Sequence, residues 1–281
     1  MKRSIRPTRV LRLAAMAAVA VWIYLPIYFM AVSALKAKSG IYTYPPTFYP
    51  TAFLLYQNFV SALNPVNYFG IHWVNVFINS YTFATAGALI ALALGIPMAF
   101  ALAHFDLPGK YVLAFNFLSL RFLPALVSIL PLYLVWLSLH LLNNGISVIA
   151  EYGIAGLPWV IWLMWSFLEG IPHSVFEAAQ VDGASNRTIL LRIMLPAVKS
   201  GLLVAGVFAF LQGYNDYQIA AILGGTNTVT IPVALADAIQ PSYTAWNIIF
   251  AIGFVNFLPA VVLALAIRKH WARALSFGLV K

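Results

Sequence analysis

Six long apolar runs divide the chain, at about 13–35, 74–103, 112–136, 146–167, 201–223 and 246–267. A helix needs about 20 apolar residues to cross a hydrocarbon core about 30 Å thick, and each run is long enough. None alternates polar and apolar residues, as the strands of an outer-membrane barrel do. The pattern predicts an all-α integral membrane protein, one transmembrane domain over 1–281 with six helices and both termini on one side. The first run exceeds the 7–15 residues or so of a signal-peptide core. Despite the small residues Ala31-Val32-Ser33-Ala34, it is therefore expected to stay as an uncleaved first span. Residues 36–72 form a polar-aromatic loop broken by Pro45-Pro46, Pro50 and Asn64-Pro65. Pro124 and Pro131 interrupt the third run and Pro158 the fourth, which also carries Glu151 near its outer end.

Composition agrees with this picture. Only 8% of the residues are charged, against about 25% in an ordinary soluble domain. The absence of cysteine excludes thiol catalysis, Cys-based zinc sites and iron–sulfur clusters. The charges are also unevenly placed. Six crossings put thirteen of the sixteen Lys and Arg on one side: Lys2, Arg3, Arg6, Arg9, Arg12, Lys110, Arg187, Arg192, Lys199, Arg268, Lys269, Arg273 and Lys281. Lys36 and Lys38 fall on the other side, and Arg121 lies inside a span. Basic residues in short loops stay cytoplasmic, so the rich side is expected to face the cytoplasm. This accounts for the net charge of +9 with no nucleic-acid partner.

Residues 168–200 differ from the rest, with Glu169, His173, Glu177, Asp182, Arg187, Arg192 and Lys199 close together. Ser174 is placed to cap a short helix, with Glu177 three residues on as a capping-box partner. Gly183 offers the positive φ of a helix C′ position. Ser185 or Asn186 can cap a second short helix, and Pro196 ends it or opens the next span. The expectation is a helix–turn–helix on the membrane's cytoplasmic face, with Ala178, Ala179, Gly183 and Ala184 allowing close approach by another protein.

This segment resembles the EAA signature of ABC importer permeases. Glu177-Ala178-Ala179 is followed by three residues, Gly183, nine residues, Ile193, one residue and Leu195-Pro196, matching all seven fixed positions. Other stretches resemble the carbohydrate-uptake branch, the second permease of maltose- and glycerol-3-phosphate-type importers. They include Ser33-Ala34-Leu35-Lys36, Asn79-Ser80, Arg121-Phe122-Leu123-Pro124, Leu130-Pro131-Leu132-Tyr133, Ile171-Pro172 and the tail Ser276-Phe277-Gly278-Leu279-Val280-Lys281. The chain departs from that branch where Tyr214-Asn215-Asp216 replaces its Trp-Asn-Glu or Trp-Asn-Asp.

The resemblance implies a permease domain in the cytoplasmic (inner) membrane that forms half of a translocation path for a sugar, oligosaccharide or polyol phosphate. It implies four kinds of neighbour: a second permease subunit, two ATP-binding subunits, an extracytoplasmic substrate-binding protein and the lipid bilayer. Glu177, Ala178, Ala179, Asp182, Gly183, Ile193, Leu195 and Pro196 would couple to the ATPase. Glu177 would pair with a basic group there, Gly183 would make the turn, and Leu195-Pro196 would set the angle into the fifth span. ATP and Mg would be held by the partner ATPase, with no cofactor on this chain and no enzymatic activity of its own. Consistently, no G-x-x-x-x-G-K-[ST] occurs, so no P-loop can form.

Two further groups of residues are candidates. Arg121 costs about 2.5–3.5 kcal/mol at mid-membrane on insertion scales, so it needs a partner. Carbonyls freed at Pro124 could accept from it. Gln212, Tyr214, Asn215, Asp216 and Gln218 make the fifth span the most polar. They either line the path, with aromatic faces and hydroxyl partners for a sugar, or bond between helices. Gly224, Gly225, Thr226 and Asn227 lie in an outer loop that, by resemblance, reaches into the binding protein. No two of His72, His104, His140, His173 and His270 have metal-ligand spacing. The alternative reading is an ion-coupled secondary transporter of a small polar solute, which would use mid-membrane carboxylates such as Asp216.

Overall fold

In the computed structural model, residues 7–50, 52–63, 72–239 and 244–276 are described. Lys2, Arg3, Arg6, Asn64-Pro65 and the tail from Phe277 to Lys281 lie outside them. All regular secondary structure among the described residues is helical, with no strand. In chain order the helices are α1 (Pro7–Ala34), α2 (Lys38–Ile41), α3 (Leu55–Leu63), α4 (Trp73–His104), α5 (Lys110–Ser119), α6 (Ala125–Ser138), α7 (Gly145–Glu169) and α8 (His173–Val181). They continue with α9 (Asn186–Thr188), α10 (Leu195–Ala197), α11 (Lys199–Tyr214), α12 (Gln218–Leu223), α13 (Ile231–Asp237) and α14 (Trp246–Ser276).

Four stretches are long and apolar enough to cross a membrane: Leu11–Ala34, Trp73–His104, Gly145–Glu169 and Trp246–Lys269. Two more apolar stretches are bent pairs. Lys110–Phe122 meets Leu126–Ser138 at 90°, and Asn186–Ala197 meets Lys199–Tyr214 at 89°. The first bend follows from Pro124. A proline disfavours helical backbone in the residue before it, and Leu123 is extended at φ −71, ψ 127. The second bend falls at Val198, just past Pro196. The turn before Pro196 widens to a π-helix over Ile189–Met194, because a proline lacks the N–H and its ring crowds the carbonyl four residues back. The fifth apolar run is not one helix to its end. Its helix stops at Tyr214, and a separate short helix begins at Gln218.

The chain divides into two compact units, Met1–Trp73 with Leu235–Pro259, and Val74–Ala234 with Ala260–Lys281. In the first, α1 leaves Leu11, Met16, Trp22 and Tyr24 exposed. Polar groups organise its far end. Asn58 Nδ2 donates to the carbonyls of Ala34 at 2.8 Å and Lys36 at 2.9 Å, and Asn247 Nδ2 donates to Asn58 Oδ1 at 2.8 Å. The buried Lys36 ammonium donates to the Thr47 carbonyl.

The second unit is built on α4, α7 and α11, and its core holds Ala91, Val160, Ile161, Met164, Ala205 and Ala209. Small residues set these distances. A Cβ on Gly153 would stand 2.6 Å from Ile90 Cγ2, and one on Gly213 2.6 Å from Tyr152 Cδ2.

Candidate functional site

The 168–200 segment folds as two short helices around a turn. Its first helix differs from expectation at the start. It opens at His173 with Pro172 as N-cap and no side-chain cap. Pro172 fixes the backbone two positions ahead of Ser174, which lies inside the first turn and cannot serve as its cap. Glu177 Oε1 instead meets His173 Nδ1 at 3.2 Å, one turn back, and both side chains are exposed.

At its other end α8 closes on Gly183, whose φ is +79. The Gly183 N–H donates to the Gln180 carbonyl at 2.9 Å, and the Ala184 N–H to the Ala179 carbonyl at 3.0 Å. This is a Schellman pair, which needs a left-handed residue at C′. Ser185 caps the second helix, its Oγ accepting from the Thr188 N–H at 3.3 Å.

The segment has one inner and one outer face. Phe176 and Ala179, three residues apart, are buried in the α4–α7–α11 core. Phe176 stacks on the His104 ring at the end of α4, with centroids 5.0 Å apart and planes at 15°. Glu177, Ala178, Asp182 and Gly183 are exposed beside Val181, which is 88% exposed. Leu195 and Ile193 are half-buried and Pro196 is exposed at the bend into α11.

A second constellation lies among α5, α6, α7, α11 and α12. Arg121 Nη2 donates to Gln212 Oε1 at 2.7 Å, and Nη1 donates to the Ala155 carbonyl at 3.3 Å. Its guanidinium lies 5.4 Å from the Trp159 ring centroid. Trp136 Nε1 donates to Glu151 Oε1 at 2.7 Å. Asp216 Oδ1 accepts from the Ile219 N–H at 2.8 Å and so caps α12. Arg121, Glu151, Gln212, Asp216 and Gln218 all line one pocket of about 430 Å³.

Four of the six path candidates, Arg121, Gln212, Asp216 and Gln218, thus come together, and two do not. Tyr214 is buried, its hydroxyl donating to Tyr81 Oη at 3.3 Å and its ring stacked on Phe210. Asn215 is exposed and returns its amide to the Leu211 carbonyl at 3.0 Å. Glu151 joins the pocket without having been a path candidate; a carboxylate inside an apolar run was the available signal for it.

The Gly224–Asn227 turn is held tightly. Gly225 N–H donates to Thr228 Oγ1 at 2.8 Å, and Asn79 Nδ2 donates to the carbonyls of Asn227 and Val229, both at 3.1 Å. Gly224 and Gly225 leave no room for a side chain: a Cβ would stand 2.3 Å from the Ala220 carbonyl and from Asn143 Oδ1, respectively. Thr226 and Asn227 are exposed at its tip. Among the described residues no three His, Cys, Asp or Glu side chains group as metal ligands.

The family model described as "Binding-protein-dependent transport system inner membrane component" matches residues 91–276. The chain is 26% identical over 257 residues to the inner membrane ABC transporter permease protein YcjP of Escherichia coli (strain K12), covering 91% of this chain and 90% of that protein. It is 28% identical over 222 residues to the trehalose transport system permease protein SugB of Mycobacterium tuberculosis (strain CDC 1551 / Oshkosh), covering 76% and 81%. Its fold is similar to a chain in the crystal structure of a bacterial ABC transporter involved in the import of the acidic polysaccharide alginate. The TM-score is 0.75 at 17% identity, over 96% of this chain and 99% of that one.

Proposed function

We propose, from the premise that this chain belongs to the family of inner membrane components of binding-protein-dependent transport systems, that it is a permease subunit of an ATP-driven ABC importer for a carbohydrate. It crosses the membrane six times with both termini in the cytoplasm, the two bent pairs each serving as one crossing. It works with a second permease, two ATP-binding subunits and an extracytoplasmic binding protein. ATP and Mg²⁺ belong to the ATPase, and this chain carries neither cofactor nor catalysis. The trehalose permease among its relatives supports the carbohydrate class.

The observation that carries the reading is the two-faced 168–200 segment. Its exposed face, with Glu177, Ala178, Val181 and the Gly183 turn, is shaped for a partner. Its buried face joins Phe176 to the core that holds the membrane helices. A push on one face is therefore carried directly to the other, so Glu177, Ala178, Ala179, Asp182, Gly183, Ile193, Leu195 and Pro196 transmit ATPase motion. Thr226 and Asn227, at the tip of a pinned turn, are offered to the binding protein on the opposite side.

The test is uptake and ATPase activity of the reconstituted complex, wild type against Glu177→Lys and Gly183→Asp. Loss of uptake with basal ATPase retained and the permease folded is expected. Normal uptake by both variants overturns the coupling role, and uptake driven by an ion gradient without ATP favours the secondary-transporter reading.

A further inference from the structure

We propose that the pocket around Arg121, Glu151, Gln212 and Asp216 is a ligand subsite on this chain that takes an uncharged polyhydroxy solute and turns away its anionic counterparts. The inference rests on the permease reading and adds the charge class of the cargo.

The charged groups in the pocket are one cation and two carboxylates. The cation is already engaged. Two of the five N–H donors of Arg121, one on each terminal nitrogen, are bonded within the protein, to Gln212 and to the Ala155 carbonyl, and the guanidinium carbon lies 5.4 Å from the Trp159 ring centroid. Recognition of a phosphate or carboxylate uses two parallel guanidinium N–H bonds. Here one N–H of each terminal nitrogen is committed to the protein.

The remaining valences suit hydroxyl groups. Glu151 holds Oε1 to Trp136, which leaves Oε2 to accept. Asp216 accepts from the N–H groups of Ile219 and Ala220 and keeps lone-pair capacity for a further donor. Gln212 gives its Oε1 to Arg121, which leaves its Nε2 to donate. A sugar hydroxyl is both donor and acceptor, so vicinal hydroxyls can meet such a set without an orphaned partner. A phosphate or uronate brings negative charge to a pocket whose two carboxylates outnumber its one cation, and like charges oppose it. Ser128 and Gln218 are the other polar lining residues, and the remainder is apolar, with Ile129, Leu132, Ile154 and Pro158 placed to cover the C–H face of a ring. The volume of about 430 Å³ is within the range of about 300–1,000 Å³ for small-molecule sites.

The assembled importer in nanodiscs, without binding protein, is titrated with three neutral probes and their 6-phosphates: methyl α-glucoside, trehalose and sucrose. At least one neutral probe is expected to bind, with its phosphate at least about tenfold weaker. Glu151→Gln keeps the acceptor for Trp136 and removes the charge, and is expected to weaken the neutral probe about tenfold, the size of a lost charge-assisted bond. Gln218→Ala, at an exposed side chain, is a second variant that leaves the packing intact and is expected to weaken the same probe. The proposal is overturned if a phosphate binds as tightly as its parent, if no probe binds, or if both variants bind as wild type. Release of the ATPase by Glu177→Lys, followed by co-purification, reports on the permease reading separately, so failure of one is not mistaken for failure of the other.

Discussion

Arg121 shows what an isolated charge in an apolar run requires. Its need for partners follows from the sequence, because a guanidinium in hydrocarbon has to be satisfied within the protein. Which partners it finds does not. Gln212 lies 91 positions away along the chain, and the carbonyl used is that of Ala155 rather than one freed at Pro124. Glu151 is similar: its carboxylate stood out in the fourth run, but its bond to Trp136 depends on how α6 and α7 pack. Arg121→Lys keeps the charge and loses the planar fork over Trp159. It is expected to lower stability by roughly 1–2 kcal/mol, seen as a lower unfolding midpoint of the detergent-solubilised protein, with Gln212→Ala adding little more in the double variant. At the other constellation, Gly183 is in the left-handed region at φ +79. Gly183→Ala meets no atom there, so backbone strain of about 1 kcal/mol is its only cost. It is expected to express and fold while reducing coupled ATPase activity.

The helices α4, α7 and α11 were legible as apolar runs; how closely they approach was not. Hydropathy ranks Gly153 and Gly206 alike, but only the contacts separate them. A Cβ at Gly153 would stand 2.6 Å from Ile90, and at Gly206 it would meet Leu92 at an ordinary 3.5 Å. Gly153→Val is therefore expected to overpack the α4–α7 contact by about 1–3 kcal/mol and to shift the purified protein towards aggregate on size exclusion. Gly206→Ala is expected to elute as wild type. The breaks in the apolar runs were read with uneven success for a physical reason. Pro124 announces its bend because its ring dictates the preceding backbone. The stop after Tyr214 leaves the run apolar on both sides and depends on Asp216 turning its carboxylate onto the next helix. The cap expected from Ser174 failed because Pro172 opens the helix first, a local competition that motif spacing alone does not resolve.

At the scale of the whole molecule, the asymmetry of Lys and Arg is the strongest topological signal in the sequence. It is a sum over loops and needs no side-chain geometry. Among the described positions, Arg9, Arg12, Lys110, Arg187, Arg192, Lys199, Arg268, Lys269 and Arg273 fall on one side of a six-crossing path, and only Lys36 and Lys38 on the other. The assignment turns on whether the pair Asn186–Ala197 and Lys199–Tyr214, bent by 89°, crosses once. Gln180 and Thr226 are exposed on either side of that pair, and the chain has no cysteine of its own. Single substitutions Gln180→Cys and Thr226→Cys therefore label against a silent background. With a membrane-impermeant maleimide, Thr226→Cys is expected to react in intact spheroplasts and Gln180→Cys only after lysis. The reverse pattern would invert the orientation and leave the exposed face of α8 on the wrong side for an ATPase. Reaction of both in intact cells would mean that the bent pair returns to the side it left, and that the crossing number is odd.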